Sequence, residues 1–65
     1  MMELWIVYRF DGDANRWMPI AAYETKLQAD SRVVLEEAAE KKFSYRSNFH
    51  VELRAMDRLG PPDGA

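Results

Sequence analysis

Asp11, Asp13 and Asn15 occupy the first, third and fifth places of a calcium-loop pattern, the spacing at which oxygen ligands converge on a hard cation. That loop also needs glycine at its sixth place and a bidentate glutamate at its twelfth, where this chain has Arg16 and Ala22. A plain turn is the better reading. His50 is the only histidine and there is no cysteine, so no second imidazole or thiolate exists to complete a zinc site. No serine or threonine has a histidine base at a suggestive spacing, and no glycine-rich phosphate loop is present. Glu36, Glu37 and Glu40 stand beside Lys41 and Lys42 and read as a charged helix face. The sequence therefore predicts no catalytic residue, no metal site and no cofactor.

The residue types that remain are those of an interface. Trp5, Val7 and Arg9 alternate along the first apolar stretch, and His50, Glu52, Arg54 and Met56 alternate along the last. Tryptophan and arginine concentrate in protein-binding sites because each brings a large contact area and a polar handle. If those seven share an uncovered sheet face, they form an apolar patch rimmed by charge, suited to another protein or to a second copy of this chain.

The elements that position them follow from periodicity. Leu4 to Phe10 is β-branched and aromatic and reads as a strand. Asp11 to Asn15 reads as a hairpin loop, and Trp17 to Tyr23 as a second strand held at an edge or a bulge by Pro19. Thr25 and Gln28 form a capping box that opens a helix. Leu27, Ser31, Val34, Ala38 and either Lys42 or Tyr45, flanked by Leu35, recur at three- and four-residue steps and are expected to face the sheet. Arg32–Glu36 and Glu37–Lys41 are expected as ion pairs on the solvated side. Phe49 to Ala55 alternates cleanly as a third strand, with Phe49, Val51, Leu53 and Ala55 inward.

The expected fold is α+β: one small ββαβ domain over residues 1–59, with a three-stranded antiparallel/mixed sheet in the order 2-1-3 and one helix on one face. Leu4, Ile6, Tyr8 and Phe10 are expected under the helix, leaving Trp5 and Val7 outside, and the opposite phase, with Trp5 in the core and Ile6 outside, stays open. Residues 60–65 are expected to be a loose tail, having nothing to bury.

Composition narrows the function classes. Sixty-five residues support a single core of about 3–5 kcal/mol, so a partner is a common aid to stability. A net charge of −2 and no basic run longer than two lysines argue against nucleic acid as partner. No stretch approaches a membrane span or a signal peptide, which implies a cytoplasmic protein without membrane contact.

The order "LWIVY", turn, "MPIAAYET", charged helix, "FHVELR" resembles the small early proteins that phages use to take over a host. Within that group it is similar to the T-odd coliphage inhibitors of bacterial RNA polymerase, with Trp5, Pro19-Ile20, Tyr23-Glu24-Thr25 and Phe49-His50-Val51 at the matching places. The resemblance implies a non-enzymatic inhibitor of a bacterial host complex, acting in the host cytoplasm, with Arg54 and Arg58 as contact residues. RNA polymerase is the first target it suggests, and a CRISPR or other defence complex the second. The alternative is a homodimeric assembly module that pairs through the open sheet face.

Overall fold

The turn that reverses the first strand is built by one carboxylate. Asp11 Oδ1 accepts from the amides of Asp13 and Ala14 at 3.0 and 3.3 Å, and Asn15 takes the left-handed φ of 55° that asparagine tolerates. In the computed structural model, which describes residues 2–43, 46–58 and 60–64, this hairpin joins β1 (Glu3–Asp11) to β2 (Arg16–Tyr23). A helix α1 (Lys26–Lys41) and a third strand β3 (Phe49–Ala55) follow. The sheet order is β2-β1-β3, with β1 antiparallel to both neighbours, so the domain is the expected small α+β fold with its most apolar strand in the centre.

Pro19 sits at the edge and at an irregularity. Val7 pairs with Ala21 but Tyr8 pairs with Pro19, so Ile20 is an extra residue on the edge strand, where the missing proline amide disturbs no ladder. The helix start is the expected capping box. Thr25 Oγ1 accepts from the Gln28 amide at 3.2 Å, and Gln28 Oε1 accepts from the Thr25 amide at 3.3 Å. Thr25→Ala removes the first of these bonds and is expected to cost about 1 kcal/mol, read as a lower urea midpoint with an unchanged slope.

Register determines which side chains share a face, because residues directly opposite in antiparallel strands point the same way. Leu4, Ile6 and Tyr8 stand opposite Arg54, Glu52 and His50. Trp5, Val7 and Arg9 stand opposite Leu53, Val51 and Phe49, and Trp5 is also opposite Tyr23. Tyr23 marks the helix side, since its hydroxyl accepts from Arg32 at 3.1 Å. The expected phase of β1 is therefore reversed: Trp5 and Val7 lie under the helix, with Val7 wholly buried and Trp5 partly so, while Ile6 and Tyr8 are buried on the opposite side.

The expected face of the helix is reversed as well. Ala29, wholly buried, and Glu40 are its buried residues, and Arg32, Val33 and Glu36 between them are partly buried. Leu27, Val34 and Leu35 are 77%, 64% and 67% exposed, with Ser31, Ala38 and Lys42 also exposed, and Tyr45 lies outside the described residues. At 100° per residue the two sets lie roughly half a turn apart, so the apolar stripe points straight away from the sheet. Arg32 and Glu36, expected on the solvated side, make their ion pair at 2.7 Å beside Tyr23. Lys26–Asp30 closes at 2.9 Å, whereas Glu37 and Lys41 do not come within ion-pair distance.

Candidate interaction surfaces

The expected patch of Trp5, Val7, Arg9, His50, Glu52, Arg54 and Met56 is not one surface. Its β1 members lie on the helix side, and His50, Glu52 and Arg54 lie on the other. Only Arg9, Met56 and Arg58 among the eight predicted contact residues are exposed.

The side opposite the helix is covered by the chain's own C-terminal segment. Gly60, Pro61, Asp63 and Gly64, expected to be loose, are fastened to the sheet, and Pro62 is buried. Two side chains of β3 do most of the fastening. Arg54 donates from Nε to the Arg58 carbonyl and from a terminal nitrogen to the Pro61 carbonyl, each at 2.9 Å, and reaches Glu52 at 3.0 Å and Asp63 at 3.5 Å. Glu52 receives four donors on two oxygens: His50 Nε2 and the Gly64 amide on Oε1, and Arg54 and the Asp63 amide on Oε2, at 2.8 to 3.0 Å.

Since an ionised carboxylate only accepts, His50 Nε2 must carry its proton toward Glu52. These donors hold the Glu52 carboxyl down to about 2, the His50 bond contributing most and burial opposing it. Tyr8 completes the closure: its hydroxyl donates to the Gly60 carbonyl at 3.2 Å, and burial pushes its phenol above the ordinary range. Toward the hairpin the same face carries an aromatic cluster, with Phe10 edge-on to Trp17 at 5.4 Å and His50 at 5.9 Å from Trp17 and 6.2 Å from Tyr8.

Chemically these groups bind and fasten. Both oxygens of Glu52 are taken up by donors within the chain. No group of three potential metal ligands converges among the described residues, and Asp11 spends its oxygen on the turn. Glu40, buried at the end of α1, accepts from the Ser47 amide at 2.9 Å and so ties the helix end to the approach to β3. Among the described residues no helix is long and apolar enough to cross a membrane.

No family model, curated protein or solved structure matches this chain. The surfaces therefore have to be read on their own chemistry, and besides Phe43, exposed just past the end of α1, two carry exposed large apolar side chains. One is the outward stripe of α1. The other lies at the free edge of the sheet, where Met2 and Met56, joined by a main-chain bond at 3.1 Å, and Leu53 are exposed. Beside Leu53 is an open depression of about 330 Å³ lined by Glu3, Asp57, Arg58 and Asp63 among others. Met56 and Arg58, expected from the sequence as contact residues, are exposed here. The exposure of Met2 and Leu53 was not legible, because a methionine beside the first strand and an inward-reading leucine give no signal of exposure.

Proposed function

We propose that this chain is a non-enzymatic protein of the phage host-takeover kind, which inhibits a bacterial protein complex by occupying part of its surface. RNA polymerase is the first target and a CRISPR or other defence complex the second, both in the host cytoplasm. The observation that carries the binding role is the exposure of Met2 and Met56 at the end of the sheet edge, next to Arg58, which together with Leu53 lines the depression there. Methionine is an adaptable contact residue, and arginine at the rim supplies directed hydrogen bonds to a partner's carboxylates or carbonyls. The target class rests on the sequence resemblance.

Affinity capture from a bacterial lysate tests this reading. The tagged wild-type chain should recover one defined host complex, and Met56→Glu and Arg58→Glu should each reduce that recovery about tenfold, the loss expected of an interface hot spot. Equal recovery by wild type and both variants would remove the patch from the binding role. Recovery of no bacterial protein would remove the inhibitor reading itself.

A further inference from the structure

We propose that the outward stripe of α1 is a homodimer seam, at which two copies of the chain pair helix to helix in antiparallel fashion. The sheet-edge patch is separate from it, so the inference stands whether or not the host-inhibitor reading does.

The spacing is that of a helix–helix seam. Leu27, Ser31, Val34, Ala38 and Lys41 follow one another at steps of four, three, four and three, the heptad rhythm by which a straight row of side chains meets a neighbouring helix. The stripe points directly away from the sheet, so two copies can meet along it with both sheets outermost and clear of each other.

The stripe is also complementary to itself. A twofold axis between Val34 and Leu35 places those two against their counterparts, Ser31 of each copy opposite Ala38 of the other, and Leu27 over the stem of Lys42. Small residues facing small residues let the helices approach to about 8 Å, the short end of the usual range. The charges favour the same direction. Antiparallel pairing brings the exposed Lys41 of one copy beside Asp30 of the other, partly buried and paired with its own Lys26, whereas parallel pairing in register stacks Lys41 on Lys41 and Asp30 on Asp30.

The area agrees. Leu27, Val34 and Leu35, together with Ser31, Ala38 and the lysine stems, offer on the order of 500 Å² per copy, about the 1,000 Å² in total that specific association requires. An interface of that size sets a micromolar rather than a nanomolar dimer.

Sedimentation equilibrium from about 1 to 500 µM is the test. The wild-type chain should pass from monomer to dimer across that range. Leu35→Glu, which points into solvent in the monomer, should stay monomeric throughout with an unchanged circular-dichroism spectrum. Because the chain has no cysteine, Ser31→Cys and Ala38→Cys can be mixed and oxidised. Antiparallel pairing predicts a disulfide between the two variants in the mixture and little within either alone. A wild-type monomer at 500 µM, or a Leu35→Glu dimer as strong as wild type, overturns the seam. So does cross-linking of Ser31→Cys to itself, which would mean parallel pairing. A wild-type monomer that loses a captured bacterial protein on Leu35→Glu would assign the stripe to that protein instead.

Discussion

Replacing Glu52 by alanine is expected to release residues 60–64 from the sheet and to lower the midpoint of thermal unfolding by roughly 8–16 °C, the equivalent of about 2 kcal/mol in a domain of this size. The carboxylate accepts from four donors, so its loss frees the Asp63 and Gly64 amides and His50 Nε2 together and leaves the Arg54 terminal nitrogen held by the Pro61 carbonyl. The same group makes stability depend on pH. Its folded-state value of about 2 lies below the ordinary 4.5, so its contribution is fully present above pH 4.5 and is lost as the pH falls from there through about 2. Thermal melts between pH 7 and pH 2 should show a steep acid limb for wild type and a shallower one for Glu52→Gln. Hydrogen exchange at the Asp63 and Gly64 amides should accelerate in both variants. An acid limb of the same steepness in Glu52→Gln and wild type would show that other carboxylates govern it.

That latch was the part of the fold least legible in the sequence. Gly60-Pro61-Pro62-Asp63-Gly64 has the composition of a loose tail, and what orders it is a pair of side chains, Glu52 and Arg54, six or more residues away. Those two have the alternation of solvent-facing strand residues, and alternation carries no information about what later folds over them. Local signals did better. The Thr25–Gln28 cap, the Asp11 turn, the Pro19 irregularity and the bounds of β3 each depend on residues within a few positions of one another, and the sheet order followed from Pro19 and the apolarity of β1.

Phase was harder. "LWIVY" is apolar on both faces because both are covered, by α1 on one side and by the C-terminal segment on the other, so no hydrophobic contrast tells Trp5 from Ile6. In α1 the contrast exists but pointed the wrong way. The helix turns Ala29 and Glu40, with the partly buried Arg32, Val33 and Glu36, away from solvent, where a small residue permits close approach, while its richest apolar row is exposed.

The largest single effect is expected at Tyr8. It is wholly buried at the centre of the sheet, beneath the latch and beside His50, and no rearrangement of the short strands around it can fill the space its ring leaves. Tyr8→Ala therefore carries a cost of about 3–5 kcal/mol, the range for removing a buried aromatic ring. A 65-residue core supplies about that much in total, so the variant should be largely unfolded at 25 °C. Tyr8→Phe separates the ring from its hydroxyl. It keeps the volume and strands only the Gly60 carbonyl, so it should cost about 1 kcal/mol and remain folded. The chemical shifts that distinguish wild type from Tyr8→Phe should be concentrated at Gly60 and the residues after it, because the lost bond is the latch's attachment to the central strand. A folded Tyr8→Ala, or a Tyr8→Phe as damaging as Tyr8→Ala, would mean that the latch and not the ring holds this side of the sheet together.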